Sequence, residues 1–502
     1  MDDAVAVRGT TLPLYGESLP LATDQYQLTM GQAYWQHGMA EHQAIFTYAF
    51  RDNPFGGGYA VCAGLAYVAY FVQYLKEHGF SAQNTQFLAR LLGHDGQPLF
   101  CEAYLDFLRH MPWDLQVDAI PEGTVVFAHA PIVRVYGPII ACQIVESFVL
   151  TEMNFQTLIA TKAARICLAA GGEAVSEQGL RRAQGLDGAL TVSRAAYIGG
   201  CTSTSNLQAG YLLGIPTSGT MAHSFVMAFA SEIDAFKAYA ESLPNNCVFL
   251  VDTYHTLTGV QKAAEVGKWL AERGQKLLGI RLDSGDLAWL SREARRILDA
   301  HGLNDVKIYA ANDLDERIIA DLKSQGATVA AWGVGTKLAT GGSQSALGGV
   351  YKLGGIRRPG EAWRRTIKVS EQRLKTSTPG FLQVRRFYSH AGLLLADAIY
   401  DEELGMADGS TIIAPMDPDR QFTLPPDVPG EDLLVPVCRD GVYIGDNPAL
   451  AAIRQRTIAQ LARLDPTVRR QLYPHEYKVG LESRLFALRR DMIHAQRGYL
   501  EV

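Results

Sequence analysis

Five short segments in the middle of the chain carry side chains that could act together in one site. They are GTMAH (219–223) with Thr220 and His223, VDTYHT (251–256) with Asp252 and His255, IRLDSGD (280–286) with Arg281, Asp283 and Asp286, AANDLDE (310–316) with Asn312 and Asp313, and WGVGTKLATGG (332–342) with Gly333, Gly335 and Thr336. A neutral imidazole can act as a nucleophile near pH 7. Successive backbone amides in a glycine-rich turn form a receptor for anions. The segments therefore form a coherent candidate site with an anion-binding turn.

Each motif alone also has a purely structural explanation. A histidine after a strand is often a hydrogen-bonded packing residue. DSGD (283–286) suits the N-cap of a helix, and a glycine-rich turn needs no ligand. FGGGYAV (55–61) is interpreted as a turn by the same reasoning, although its three glycines permit close approach of a ligand or a second subunit.

The segments that carry these residues have the spacing of consecutive strand and helix units. Short strands are predicted at AAYIGG (195–200), VFLVDTYH (248–255), LLGIRLDSGD (277–286), VKIYAANDLD (306–315) and VAAWGVGTK (329–337). The last four begin about 20 to 30 residues apart, which is typical of βα units. Ligands of parallel α/β folds bind at the carboxyl ends of the strands. The predicted fold class is therefore α/β, an irregular, TIM-like α/β barrel that brings the candidate residues to one end.

The pattern of helix-like and strand-like segments changes twice along the sequence, which predicts three domains. Residues 1–145 mix helical runs such as AYVAYFVQYLKEHGF (66–80) with strand-like pieces such as TVVFAHAPIVRVYG (124–137), as in an α+β domain. Residues 146–355 form the predicted catalytic barrel. Residues 356–502 form a C-terminal cap or tail domain, whose helix-like end carries a basic face that is expected to be solvated, with Arg454, Arg456, Arg469, Arg470, Arg489 and Arg490.

Composition excludes several classes of partner and site. The 502 residues include 46 Lys and Arg against 52 Asp and Glu, for a formal net charge of −6, so neither nucleic acid nor an anionic membrane is expected as the main partner. The seven cysteines are scattered and form no C-x-x-C, which argues against a disulfide framework or a structural zinc site. The acidic N-terminus MDDAVAVRGT lacks the basic start of a signal peptide, and no apolar run is long enough to span a membrane. A cytoplasmic protein that acts on small molecules is expected.

The residues of the motifs and their order along the chain identify a family. The chain resembles the nicotinate phosphoribosyltransferases in TDQYQLTMGQAYW (23–35), FRDNPFGGGYAVCAGL (50–65), NFQTLIATKAARI (154–166), GLRRAQGLDGAL (179–190), GGCTSTSNLQAG (199–210) and GVGTKLATGGSQSALGGVYKL (333–353), as well as in the central motifs given above. The matching strings cover most of residues 21–355. The resemblance is therefore far more specific than any single motif.

The resemblance implies a displacement reaction on a sugar phosphate. The family joins nicotinate to the ribosyl C1 of phosphoribosyl pyrophosphate (PRPP) and releases pyrophosphate and nicotinate mononucleotide, the first step of NAD synthesis from nicotinate. It implies nicotinate contacts for Tyr26, Thr220 and Arg281, with Arg281 on the carboxylate and Tyr26 against the ring. It further implies PRPP and phosphate contacts, which are assigned to Arg165, Arg181, Asp286, Gly333, Gly335 and Thr336.

The resemblance also implies a role for ATP and a second subunit. The family histidine at the position of His223 accepts a phosphoryl group from ATP, and the phosphoenzyme binds PRPP more tightly. Asp283 is the expected catalytic carboxylate and Mg²⁺ ligand, with the metal bound to pyrophosphate. In the family the tyrosine that matches Tyr26 comes from the partner subunit, which implies a homodimer with active sites at the interface.

Three alternatives stay open at this stage. A metal-dependent hydrolase would use His223, His255, Asp252 and Asp283 as ligands, although the chain has no H-x-H or H-E-x-x-H. A non-catalytic relative would have lost charged site residues, and none is missing. A nicotinamide-specific enzyme would need groups that recognise a neutral amide, and the wording of the motifs favours nicotinate.

Overall fold

The contacts within the chain divide it into two compact units. The computed structural model describes Thr10, residues 12–372 and residues 375–498. Residues 1–161 and 346–502 form one unit, here called the discontinuous unit, and residues 162–345 form the other, the inserted unit. The first and last thirds of the chain therefore pack together.

Helices and strands alternate through most of the chain. Up to the first boundary they are α1 (Gln25–Gln36), β1 (Gln43–Phe50), β2 (Ala60–Val61), α2 (Leu65–His78), α3 (Ala82–Leu88), α4 (Glu102–His110), β3 (Gln116–Ala119), β4 (Val125–Val126), β5 (Val133–Pro138), α5 (Ile139–Ile144) and α6 (Glu146–Ala170). The inserted unit continues with β6 (Ala174–Glu177), α7 (Gly185–Ile198), β7 (Ser203–Thr204), α8 (Leu207–Leu213), α9 (His223–Met227), α10 (Glu232–Ser242), β8 (Val248–Leu250), α11 (Thr256–Ala271), β9 (Gly279–Leu282), α12 (Leu287–Ala300), β10 (Lys307–Ala310), α13 (Glu316–Ser324), β11 (Ala331–Val334) and α14 (Thr336–Ala339). The last stretch contains β12 (Gly349–Arg357), β13 (Arg364–Arg365), β14 (Leu382–Tyr388), β15 (Leu394–Asp401), β16 (Thr411–Ile413), β17 (Gln421–Thr423), β18 (Gly430–Asp432), β19 (Val435–Arg439), β20 (Val442–Tyr443), α15 (Leu450–Ala462), β21 (Lys478–Glu482) and α16 (Ser483–Gly498). Short 3-10 helices lie at Leu12–Leu21, Pro54–Gly56 and Leu180–Arg182.

Two large sheets build the discontinuous unit. The first has seven strands in the order β13-β12-β1-β5-β3-β19-β20, and all its pairings are antiparallel. The second has six strands in the order β17-β16-β21-β15-β14-β18. In the first sheet β1 lies between β5 and β12, and the rings of Phe46 and Tyr351 stack across the β1–β12 pair at 4.8 Å. The C-terminal third of the chain thus completes a sheet that the N-terminal third begins.

A parallel sheet forms the centre of the inserted unit. Its six strands have the order β7-β6-β11-β10-β9-β8, and every pairing in it is parallel. Among the described residues no pairing joins β7 to β8, so the sheet does not close. The prediction of an α/β fold with an irregular barrel-like arrangement is confirmed. The predicted strands at 248–255, 277–286, 306–315 and 329–337 correspond to β8 to β11.

The prediction of a strand at AAYIGG was wrong. Residues 195–198 form the last turn of α7, and Gly199 and Gly200 end that helix, with Gly200 at a φ of 121°. Alanine favours a helix, and a glycine with positive φ commonly ends one. Most residues of α7 from Ala189 to Ile198 are buried, so the apolar residues at its end show no period that would have distinguished a helix from a strand.

The expected solvated basic face also needs a correction. Arg489 on α16 is only 7% exposed and donates hydrogen bonds to backbone carbonyl groups. Arg456 on α15 donates to the carbonyl oxygen of Glu122. Part of the basic sequence therefore holds the backbone of the discontinuous unit in place.

Two further points concern the chain as a whole. The division into domains 1–145, 146–355 and 356–502 was a prediction about which segments fold independently, and it stays a prediction. None of the helices in the described part of the chain is both long enough and apolar enough to cross a membrane.

Candidate active site

The carboxyl ends of the parallel strands open into a cavity of about 660 Å³ in the inserted unit. Its lining includes residues from the ends of β6, β9, β10 and β11 and from the segment before α9. The lining residues are Gln178, Arg181, Arg182, Ser205, Gly219, Thr220, Met221, Ala222, His223, Arg281, Asp283, Ala311, Asn312, Asp313, Gly333, Gly335 and Thr336. One cavity therefore brings together eight of the predicted residues: Arg181, Thr220, His223, Arg281, Asp283, Gly333, Gly335 and Thr336.

His223 is the first residue of α9. Its Nδ1 lies 3.2 Å from the hydroxyl of Thr253, and its Nε2 lies 3.7 Å from Oδ2 of Asp283. The side chain is 42% exposed. The imidazole is therefore fixed between a hydroxyl and a carboxylate, yet one face stays open to the cavity.

Arg281 and Thr220 form a polar pair in the same cavity. Nη1 of Arg281, on β9, donates to the hydroxyl oxygen of Thr220 at 2.8 Å, and among the described residues the buried Nε of Arg281 has no acceptor. Burial lowers the pKa of Arg281, and the nearby Asp283 and Asp252 act in the opposite direction. A guanidinium with a free buried donor is suited to a carboxylate, which accepts two hydrogen bonds at once.

Asp252 and Asp283 have different tasks although both follow strands. Oδ2 of Asp252 accepts hydrogen bonds from the backbone nitrogen of Asp283 at 2.9 Å and from the hydroxyl of Ser284 at 2.6 Å. Asp252 therefore shapes the turn after β9. The carboxylate of Asp283 points toward His223 and the cavity.

The glycine-rich turn after β11 packs tightly against the turn after β6. A Cβ added to Gly333 would lie 2.8 Å from the side chain of Gln178, and one added to Gly335 would lie 3.1 Å from the carbonyl oxygen of Gln178. Only glycine permits this approach without displacing a neighbour. Thr336 then begins α14, and two of the three lining residues from this segment, Gly333 and Gly335, have no side chain.

Glu177 fixes the turn that carries Arg181 and Arg182. This buried carboxylate, 1% exposed, accepts hydrogen bonds from the backbone nitrogen of Gly179, from the hydroxyl of Ser193 at 2.9 Å and from the hydroxyl of Thr204 at 2.6 Å. The 3-10 helix that follows carries Arg181 and Arg182 to the cavity. Glu177 was not identified from the sequence, because the strand that it ends, β6, was not predicted.

Replacing Glu177 with alanine is expected to lower the free energy of unfolding by about 3 kcal/mol or more, since three buried donors lose their acceptor. The midpoint of urea unfolding, followed by circular dichroism, measures the loss. The exposed Glu241 on α10 provides the matched control, because Glu241→Ala removes the same charge without opening a buried network. Equal midpoints for the two variants would contradict the structural role of Glu177.

Three predicted site residues are not among the residues that line this cavity. Arg165 is 1% exposed and pairs with Glu316 at 3.0 Å. Asp286 is the N-cap of α12, where its Oδ1 accepts a hydrogen bond from the backbone nitrogen of Trp289 at 3.0 Å. Tyr26 belongs to α1 of the discontinuous unit and is 48% exposed, and partial burial together with Glu146 raises the pKa of its hydroxyl.

Several lining residues were not identified from the sequence. Gln178, Arg182, Ser205 and Met221 belong to motifs that were quoted, yet no spacing rule marked them individually. Asn312 and Asp313 have positive φ angles of 107° and 33°, which are rare outside glycine and are concentrated at functional sites. These two residues, unlike the four above, had been named from the sequence as candidates in the AANDLDE segment, and both line the cavity.

The candidate ligands of the hydrolase alternative do not form a metal centre. In the described ranges of the chain no group of three or more His, Cys, Asp or Glu side chains is placed to hold a metal ion. His255 is turned away from such a role, because its Nδ1 accepts from the hydroxyl or backbone nitrogen of Thr258 and so caps α11. A protein-only metal cage therefore has no support here.

Comparisons with known proteins identify the family of the chain. The family model for the nicotinate phosphoribosyltransferase N-terminal domain matches residues 21–154, and the model for the C-terminal domain matches residues 382–489. The nicotinate phosphoribosyltransferase of Bacillus subtilis is 39% identical over 490 residues, which cover 97% of both chains, and that of Homo sapiens is 34% identical over 527 residues, which cover 93% of this chain and 96% of the human one. A crystal structure of human nicotinic acid phosphoribosyltransferase superposes with a TM-score of 0.79 at 31% identity over 94% of this chain and 99% of the human one. The chain therefore belongs to the nicotinate phosphoribosyltransferase family.

Proposed function

We propose that this protein joins nicotinate to the ribosyl C1 of PRPP and releases nicotinate mononucleotide and pyrophosphate. The observation that carries the proposal is the single cavity in which the Arg281–Thr220 pair, the His223–Asp283 pair and the Gly333–Thr336 turn meet. One substrate has a carboxylate on a flat ring, and the other carries a 5-phosphate and a 1-pyrophosphate. The cavity offers a receptor for each.

Arg281 and Thr220 would orient nicotinate. In the proposed reaction the lone pair of the pyridine nitrogen forms the new bond to C1, and the bond from C1 to the pyrophosphate oxygen breaks with its electrons leaving on pyrophosphate. Fixing the carboxylate fixes the direction of the ring nitrogen, which converts a chance encounter into an aligned one. The free buried Nε of Arg281 supports this orientation.

The phosphate groups would be held by the two turns that pack against each other. Backbone amides of Gly333, Gly335 and Thr336 suit the ribose 5-phosphate. Arg181 and Arg182, which Glu177 positions, offer two guanidinium groups for further phosphate oxygens. Charge on the departing pyrophosphate is thereby stabilised by preorganised donors. The buried pairing of Arg165 leaves that residue outside this part of the proposal.

The donor set fits Mg²⁺ that is bound largely through substrate. Mg²⁺ usually keeps several waters and takes one or two carboxylates together with phosphate oxygens. Asp283 is a carboxylate that lines the cavity and is 31% exposed, so it would hold the ion. When bound, the metal would neutralise charge on the leaving pyrophosphate.

ATP enters the proposal through His223. Its imidazole would take a phosphoryl group from ATP, the bond from the γ-phosphorus to the bridging oxygen would break, ADP would leave, and water would later release phosphate from the phosphohistidine. Thr253 at Nδ1 and Asp283 near Nε2 support such a role because they fix the ring. A nicotinate phosphoribosyltransferase coupled to ATP is the function that these contacts favour, and the cytoplasm is its expected location on the composition of the sequence.

The test is an assay of the purified protein with labelled nicotinate and PRPP, with and without ATP. Labelled nicotinate mononucleotide should form in stoichiometric amounts with pyrophosphate, and ATP should increase its yield. Nicotinamide in place of nicotinate in the same assay tests whether the enzyme is instead specific for nicotinamide. Product formation from nicotinamide at an equal rate would remove the nicotinate assignment.

We further expect the working unit to be a homodimer in which Tyr26 serves the partner's cavity. Mixing Tyr26→Ala and His223→Ala proteins should restore part of the ATP-stimulated product formation that each has lost if subunits exchange, because one mixed site then contains both intact residues. Tyr34→Ala on the same helix is the matched control for loss of an aromatic ring. A monomer by light scattering that keeps full activity would refute the shared site.

A further inference from the structure

A second cavity, of about 210 Å³, lies in the discontinuous unit against the last turns of α16. One wall is a single face of that helix, with Phe486, Arg489, Ile493 and Arg497 at helical spacing. The opposite wall comes from Thr376 and the segment around Met416. None of the described residues that line it is acidic.

Arg489 distinguishes this cavity from an ordinary surface groove. Its guanidinium is buried and donates to the backbone carbonyl oxygens of Ser377 at 3.1 Å, Pro415 at 3.1 Å and Thr376 at 3.3 Å. In the described part of the chain no carboxylate lies within ion-pair distance of it. Burial lowers the pKa of Arg489, in keeping with a cation that lacks a counter-charge.

Other buried arginines of this protein are neutralised. Arg134 lies 2.6 Å from Asp118, Arg165 lies 3.0 Å from Glu316, and Arg386 lies 2.7 Å from Asp397. A buried charge without a partner is costly, whereas a paired one is tolerated. Arg489 therefore differs from these three buried arginines.

The remaining charged side chains of the cavity add positive charge. Arg490 lines it and pairs only with its exposed neighbour Asp491, at 3.0 Å, while His494 and Arg497 complete the basic side. Basic residues near the end of a helix are favoured by the helix dipole, which explains Arg497. The helix dipole does not explain the cavity. It also does not explain the buried guanidinium of Arg489, which lies earlier in the helix.

We propose that this cavity binds a small organic phosphate whose other part is apolar or aromatic. A dianionic phosphate would supply the counter-charge that Arg489 lacks among the described residues, and Arg490 and Arg497 would add further charge-assisted contacts. Phe486, Ile493, Met416 and Pro418 would cover the apolar part. The proposal is independent of the catalytic cavity, because all lining residues belong to the discontinuous unit.

Phenyl phosphate is the probe for the test, and the δ-methyl signal of Ile493 in protein labelled at isoleucine methyl groups is the reporter. Ile493→Val assigns that signal. Phenyl phosphate should shift it in a saturable way, whereas benzyl alcohol should not. Arg490→Gln/Arg497→Gln should weaken the binding at least tenfold, because two charge-assisted contacts are lost.

Controls separate this cavity from other anion sites. Arg358→Gln/Arg484→Gln removes two exposed arginines of the same unit outside the cavity and should leave the affinity unchanged. Thr336→Val, in the catalytic cavity, should also leave the shift of Ile493 unchanged. An adjoining cavity shares Arg489 and Met416 but not Ile493, so binding there would leave the signal in place and would overturn the proposal. Equal affinity in the two double variants would overturn it as well.

Discussion

Replacing Arg281 with alanine is expected to lower kcat/KM for nicotinate about 100-fold, which corresponds to about 3 kcal/mol for the loss of one partner of a desolvated charge pair. Arg281 is largely buried, its Nη1 is fixed by Thr220, and its Nε is free for the substrate. The value of kcat/KM for nicotinamide should fall much less, because nicotinamide has no negative charge that pairs with the guanidinium. The ratio of the two kcat/KM values is therefore the decisive measurement.

Two further variants show whether the effect comes from the charge pair. Arg281→Lys keeps the charge but loses the two-pronged geometry, so we expect activity between wild type and Arg281→Ala. Thr220→Val keeps Arg281 but frees its Nη1, and should raise KM for nicotinate more than it lowers kcat. Wild-type preference for nicotinate over nicotinamide that persists in Arg281→Ala would show that another residue reads the carboxylate.

Replacing His223 with asparagine is expected to abolish ATP hydrolysis while some nicotinate mononucleotide still forms. Neither the Arg281–Thr220 pair nor the Gly333–Thr336 turn depends on the imidazole, so plain displacement stays possible. The gain in PRPP affinity on adding ATP should vanish too. A ligand shifts an equilibrium only through a state that it binds differently, and without phosphohistidine that state does not form.

The measurement is acid-labile, base-stable label on the protein after incubation with γ-labelled ATP. Wild type should be labelled and His223→Asn should not. His255 is the next histidine along the strand ends, but it caps α11 through Thr258, so His255→Asn should keep its label. Equal labelling of wild type and His223→Asn would place the phosphoryl group on another residue.

Strands were predictable where an apolar run ended in polar residues at a regular spacing. β8 to β11 meet that condition, and all four lie in the parallel sheet. β6 was missed because Ala174–Glu177 contains only one large apolar residue, and its place in the sheet comes from pairing with β11. AAYIGG was misassigned because four residues cannot show whether the period is that of a helix or a strand.

The candidate site was predictable to the extent that its residues follow strands. Thr220, His223, Arg281, Asp283 and Thr336 line the cavity because the sheet carries their segments to one edge. The N-cap role of Asp286 agrees with the structural explanation given for DSGD, whereas the hydrogen bonds of Glu177 could not be predicted, because they depend on Ser193 and Thr204, which lie on separate elements. Tertiary partners, which are distant in sequence, decide such roles.

The placement of β12 has a consequence for synthesis of the chain. β1 pairs with β5 soon after both are made, but its other edge waits for β12, which follows β5 by about 210 residues. At translation rates of about 5–20 residues per second, this edge stays open for on the order of ten to forty seconds. An open strand edge is a template for pairing with another chain. The nascent protein is therefore most exposed to aggregation while the ribosome is still making the inserted unit, and chaperones that bind nascent chains would act during that interval.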